Sequence, residues 1–211
     1  VSFKNGYLNT YKWDGTSWNK TGVITIFAGG SHDWPGQAYL SMDGNRLAIG
    51  TGLSNSSKGQ VKIFDWDGIN TWTQYAAIDG KNGNFGCAID LSRNGKKLAV
   101  AEKSSSKTSV YDLSGSSPVQ IGSDINFGGG GSFWRYVSIS DDGNRVGIPE
   151  MGNKAGVFDW DGTNWNQLGE DLLGGWGESF DMSSDCSIMA LGGHSGPNQA
   201  FNILNLTYII T

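Results

Sequence analysis

Histidine and cysteine are scarce, with only two of each in 211 residues. His32 and His194 lie far apart, no ligand spacing points to a metal centre, and a site would need carboxylates such as Asp33 to complete it. No metal and no cofactor are therefore expected. Charge is thin as well: charged residues make up 17% of the chain, the net charge is −5, and the 15 Lys and Arg are scattered. That pattern lacks the basic footprint of a phosphate backbone, so nucleic acid is not an expected partner. No apolar run reaches the length of a membrane span, and no signal peptide is recognisable. The first residue is Val rather than Met, which suggests a processed form or a piece of something longer. Helical periodicity is missing too, because every apolar window is interrupted by Gly or a turn dipeptide.

What is abundant is glycine, at 33 residues, and tryptophan, at nine. Together they suggest many tight turns joining aromatic-rich strands in an all-β chain of one domain. Four copies of a strand, turn, strand unit recur: Leu40 to Gly50, Leu91 to Ala101, Ile139 to Pro149 and Met182 to Gly192. Their marker serines are Ser41, Ser92, Ser140 and Ser183, at a spacing typical of a propeller blade. A second unit alternates with the first: Trp13-Asp14-Gly15 leading to Trp18, Trp66-Asp67-Gly68 leading to Trp72, a degenerate Leu113-Ser114-Gly115, and Trp160-Asp161-Gly162 leading to Trp165. Each reads as a hairpin whose Asp-Gly or Ser-Gly takes the positive-φ turn positions while aromatics pair across the strands. Each period thus holds four strands, A to D. The expected fold is a β-propeller of about four to five four-stranded antiparallel blades, at roughly 1–27 (partial), 35–78, 85–125, 133–173 and 179–211. Strand B alternates bulky with small residues, as in Leu47-Ala48-Ile49 and Leu98-Ala99-Val100, so a bulky face can meet a small one on the next blade. Trp34, Phe85, Phe133 and Trp176 recur seven residues before the serines, as expected of blade-to-blade wedges.

Phe85-Gly86 and Gly147-Ile148-Pro149, with the Trp-Asp-Gly hairpins, make the chain resemble the phenylalanine-glycine/glycine-alanine-proline (FG-GAP) repeat propellers of integrin α heads. The resemblance is closest to the Trp-Asp-Gly variant common in surface proteins of algae and other microbial eukaryotes. Integrin-type repeats carry a calcium loop between strands A and B. Here that connection is a tight turn offering too few oxygens, even at Asp141-Asp142, so no metal is expected there.

The A-B and C-D turns share one end of the fold, and the variable B-C and D-A loops share the other. Variable loops on a rigid scaffold are where recognition usually sits. The candidate ligand-binding residues are accordingly His32, Asp33, Trp134, Arg135, Glu178 and His194. Trp134 and Arg135 lead, because they have no repeat counterpart. Gly128 to Gly131 lack the Lys-Ser/Thr and helix of a phosphate loop. Glu102 and Glu150 follow strand B at the same offset and form the one carboxylate pair considered for glycoside hydrolysis. Cys87 and Cys186 fall at opposite ends of their blades and are expected as two free thiols. Asn19, Asn55 and Asn205 head glycosylation sequons, and with the family resemblance they suggest an extracellular or surface glycoprotein. From Cys186 to Thr211 no Asp, Glu, Lys or Arg follows Asp185, so the C-terminal strand lacks the charges that protect an exposed edge. These readings converge on a non-catalytic module binding protein partners, with self-assembly through the C-terminal strand. A lectin-like propeller binding glycans is the alternative, and an extracellular hydrolase ranks third.

Overall fold

The computed structural model describes residues 2–4, 6–25, 37–52, 54–81, 83–127, 136–150, 154–173, 179–192 and 202–205. These form five antiparallel sheets in chain order. The first holds β1 (Ser2–Lys4), β2 (Tyr7–Trp13) and β3 (Trp18–Thr25). The second is the four-stranded meander β4 (Gln37–Leu40), β5 (Arg46–Thr51), β6 (Gln60–Trp66) and β7 (Trp72–Asp79). In the third, β8 (Phe85–Leu91), β9 (Lys97–Glu102) and β10 (Lys107–Asp112) are followed by an outer strand in two pieces, β11 (Val119–Gln120) and β12 (Ile125–Asn126), both paired with β10. The fourth repeats this plan with β13 (Ser138–Ile139), β14 (Arg145–Glu150), β15 (Lys154–Trp160), β16 (Trp165–Gln167) and β17 (Leu172–Leu173). The fifth contains β18 (Ser179–Met182), β19 (Ile188–Gly192) and β20 (Asn202–Asn205). A one-turn helix at Ser54–Ser57 and a 3₁₀ turn at Lys103–Ser105 are the helical elements among the described residues.

Consecutive sheets pack face to face through four apolar cores. Leu8 and Ile24 of the first sheet meet Leu47, Ile49 and Phe64 of the second. Ala48, Val61 and Ile63 of the second meet Ile89, Leu91, Leu98 and Val100 of the third. Ala99, Ala101 and Val110 pack on Ile139, Val146, Ile148 and Phe158 of the fourth. Ala155, Val157 and Leu172 then pack on Phe180, Met189 and Leu191 of the fifth. The alternation in strand B thus sends bulky residues back to the preceding blade and small ones forward. Gly147 illustrates the fit, since a Cβ there would collide with Met182 and Phe180 of the next blade. Each fully buried Leu, Ile or Val side chain in these layers contributes roughly 1.5–3 kcal/mol. This is the radial stacking of a β-propeller.

The strands β4, β8, β13 and β18 lie side by side as the innermost strands, and each ends immediately before a marker serine, as the repeat phase predicts. The four turns are built alike. The hydroxyls of Ser41, Ser92, Ser140 and Ser183 donate to Asp43, Asn94, Asp142 and Asp185 at 2.6–2.9 Å. The same oxygens accept the amides of Arg46, Lys97, Arg145 and Ile188 at 2.9–3.0 Å. The fourth turn position is left-handed in every copy. Gly44, Gly95 and Gly143 have φ near 70°, whereas Cys186 takes φ 52° with its side chain buried.

Neighbouring blades are clamped at this turn end. The Arg46 guanidinium makes a bidentate pair with Asp65 at 2.6 and 2.8 Å and reaches the carbonyls of Gly95 and Leu113 in the next blade. Arg145 pairs with Asp159 in the same way. The Met42 amide donates to the Arg93 carbonyl and the Asp141 amide to the Ser184 carbonyl, both at 2.8 Å.

Candidate functional site

Side chains on a strand alternate, so the residues two before each marker serine occupy one row across the innermost strands. The row reads Tyr39, Asp90, Ser138, Asp181. All four are polar. Hydrogen bonds stitch the strands together there. The Ile89 amide donates to Gln37 Oε1 at 3.0 Å, and the Ile139 amide donates to Asp90 Oδ2 at 2.8 Å.

Asp90 is half-buried and Asp181 is exposed. Burial pushes the Asp90 carboxyl up to about 7, against the pull of the Ile139 and Leu91 amides and the Ser138 hydroxyl, and the charge of Asp181 adds to the rise. Burial, followed by the charges of Asp90, Asp181 and Tyr136, lifts the Tyr39 phenol to about 12. The result is a carboxyl that exchanges its proton near neutrality, beside a phenol that keeps its own and within the field of a second carboxylate. Such a set can move protons at physiological pH, which a normal Asp cannot.

Two clefts open at the turn end, beside the marker serines. One of about 420 Å³ is lined by Asp142, Asn144, Arg145, Asp159, Trp160 and Asp185. Its counterpart of about 480 Å³ is lined by Asp43, Asn45, Arg46, Asp65, Trp66 and Asn94. Their carboxylates are already committed: Asp142 to Ser140 and Asn144, Asp159 to Arg145, and Asp65 to Arg46. These bonds lie within single blades and hold the carboxylates in place, and no group of three metal-ligating side chains occurs among the described residues.

The loop residues singled out from the sequence, His32, Asp33, Trp134, Arg135, Glu178 and His194, lie outside the described residues, as do Trp34, Phe133, Trp176 and Gly128 to Gly131. Glu102 and Glu150 end β9 and β14, but each is engaged within its own blade. Glu102 accepts from the Ser105 hydroxyl, and Glu150 pairs with Lys154 at 3.4 Å. Cys87 and Cys186 are both free thiols, and burial pushes them up to about 11 and about 12. Of the sequon residues, Asn19 is exposed on β3 and donates to Asp14 at 2.6 Å. Sequence reasoning passed over Asp90, Asp181 and Tyr39, although the signal was available. Aligning the four repeats puts a polar residue two positions before each marker serine.

No family model matches the sequence, nor does any curated protein. Many solved structures share the fold. A putative 6-phosphogluconolactonase from Bacteroides fragilis aligns with a TM-score of 0.66 and 12% identity over 89% of this chain and 58% of its own. The periplasmic gluconolactonase of Pseudomonas aeruginosa gives 0.65 and 17% over 91% and 58%. The β-propeller domain of Myceliophteria thermophila Cps50 (Swd1) gives 0.61 and 13% over 86% and 54%. The chain is thus similar to β-propellers and spans 48–59% of the length of such solved chains. The expectation of a non-catalytic module is corrected here. It rested on the lack of histidines and of a nucleophile set, yet proteins named as lactonases stand on the same frame, and the innermost strands hold carboxyls suited to acid–base work.

Proposed function

We propose that this propeller is a hydrolase that opens cyclic esters of sugar acids at its innermost strands. The observation that carries this reading is the row Tyr39, Asp90, Ser138, Asp181, with Asp90 poised near neutrality. Deprotonated Asp90 takes a proton from water as the water oxygen attacks the lactone carbonyl. The neutral Tyr39 phenol donates a hydrogen bond to the oxygen that gains charge. The ring C–O bond then breaks and the proton returns to the departing alkoxide, leaving the open hydroxy acid. Burial keeps the Asp90 proton affinity high enough for the base to be effective, and the charge of Asp181 adds to it. The lactonase names among the structural neighbours support this substrate class.

The test is acid release from gluconolactone and 6-phosphogluconolactone at constant pH, with the spontaneous rate subtracted. The wild-type rate is expected to rise as pH passes about 7. Asp90→Asn is expected to lose roughly 100-fold or more, the usual worth of a positioned base. Wild-type rates no faster than buffer, or an unaffected Asp90→Asn variant, would overturn the assignment.

Three finer readings accompany it. The Trp-Asp-Gly hairpins, with Asp14, Asp67 and Asp161 each accepting the amides of their turns, support kinship with the FG-GAP-like repeats of the Trp-Asp-Gly type. Exposed Asn19 supports an extracellular glycoprotein, tested by a mobility shift on enzymatic deglycosylation of material from a secreting eukaryotic host. The pairing of β20 with β19 and the missing charges beyond Asp185 support assembly through the C-terminal strand.

A further inference from the structure

The innermost strands carry carboxyls and no cations. β4, β8, β13 and β18 hold Asp90 and Asp181 but no Lys, Arg or His. None of the ion pairs among the described residues includes either carboxyl. Asp90 instead accepts the Ile139 amide at 2.8 Å, and Asp181 accepts the Met182 amide at 2.9 Å. A backbone amide orients a carboxylate without cancelling its charge.

The surroundings leave that charge uncompensated. After burial, what lifts the Tyr39 phenol is the charge of Asp90, Asp181 and Tyr136, with nothing positive among them. Arg145 needs weighing, because the Cys186 thiol, raised chiefly by its burial, feels that guanidinium as well as Asp90. Asp159 holds Arg145 bidentately, however, so the pair presents little net charge. The remaining members of the row, Tyr39 and Ser138, are uncharged, as is Gln37 two residues before Tyr39 on the same face of β4. Groups of this kind match the hydroxyls of a sugar. None supplies the positive charge on which phosphate recognition usually draws.

We infer that the site takes uncharged lactones and rejects their phosphorylated counterparts, and that Asp181 is the residue that sets this preference. The inference rests on the hydrolase reading above and narrows its substrate class. When Asp90 is deprotonated to act as base, two carboxylates face the substrate. A phosphoryl group brings a charge of roughly −1.5 to −2 at neutral pH, and like charges repel across a Debye length of about 10 Å at 0.1 M salt, a range longer than a sugar ring. The exposed Asp181 takes no part in the proton transfer, so its charge acts on the substrate as a whole. The same field favours turnover, because hydrolysis converts an uncharged lactone into a carboxylate that the row repels.

The experiment measures kcat/KM for gluconolactone and for 6-phosphogluconolactone on the full chain, with the spontaneous rate subtracted, in wild type and Asp181→Asn, at roughly 0.01 M and roughly 1 M ionic strength. Loss of Asp181 alters the basicity of Asp90 equally for both substrates, so the ratio of the two constants isolates the repulsion. Wild type at low salt is expected to prefer gluconolactone by about ten-fold or more. The substitution and the high salt should each shrink that preference by about three-fold or more. Equal or faster hydrolysis of the phosphorylated lactone overturns the inference and leaves the hydrolase reading standing. A preference left whole by the substitution or by salt overturns it too, since shape rather than charge would then discriminate. Hydrolysis of neither lactone overturns the hydrolase reading and this inference with it.

Discussion

Asp90 links packing to protonation. Its carboxyl holds a proton to about pH 7 in the folded chain but only to the ordinary value near 4 when unfolded. Between those values the folded state binds more protons, so this group's contribution to stability is fully present below about pH 4 and is lost as pH rises to about 7. The loss is at most ~4 kcal/mol. Asp90→Asn removes the titration, so wild type should lose stability relative to the variant across that window. Melting both proteins from pH 4 to 7.5 checks this, and a constant difference would mean that Asp90 titrates normally. Ser140 offers a second test. Its hydroxyl donates to Asp142 at 2.6 Å and accepts the amides of Asn144 and Arg145 at 3.1 and 3.0 Å. Ser140→Ala takes the side-chain acceptor from the half-buried Arg145 amide and should cost about 1–3 kcal/mol in urea denaturation. A loss below ~0.5 kcal/mol would mean that the turn relaxes onto water.

At the scale of elements, the turn-end clamps couple one blade to the next. Arg46 bonds Asp65 bidentately, reaches two carbonyls in the next blade and lies 4.6 Å over the Tyr75 ring. Arg93 is an instructive contrast, being half exposed and 3.7 Å from Asp141. Arg46→Met should destabilise by about 2 kcal/mol, whereas Arg93→Met should fall within ~0.5 kcal/mol of wild type. Chemical denaturation of the two variants decides it, and equal effects would assign the clamp no special role. The D strands show where element boundaries escape the sequence. Pattern reading runs a single strand from Val119 to Ile125, but the outer strand splits into β11 and β12 around Gly122, which turns at φ 69° beneath Trp165. Gly122-Ser123-Asp124 are poor strand formers, and the indole of the next blade occupies the space beside Gly122.

At the scale of the whole molecule, blades touch their neighbours in sequence, so stability adds up as a chain of nearest-neighbour layers. The second, third and fourth sheets have a core on each face, whereas the first and fifth have one each among the described residues. Native-state hydrogen exchange should therefore be slowest in β5, β8, β9 and β14 and faster by at least about ten-fold in β2, β3 and β19. Uniform protection would instead make the arc a single cooperative unit. β20 pairs with β19 along one edge at Asn202–Asn205, and the burial of its side chains lies outside the described residues.

The repeat was legible because it is local. Serine, Asp or Asn, and glycine at fixed offsets build the turn from contacts within six residues, and the bulky–small alternation of Leu98-Ala99-Val100 follows from a strand buried on both faces. The register of the innermost strands was legible for the same reason, since a marker serine ends each one. What the row Tyr39, Asp90, Ser138, Asp181 does was decided only by tertiary structure. These residues are about 50 positions apart along the chain, and a carboxyl leaves its ordinary pKa only when other blades desolvate it and bring a second charge near. The same holds for Trp18. By sequence it equals Trp72 and Trp165, and only the placement of the blades distinguishes two half-buried wedges from an exposed one.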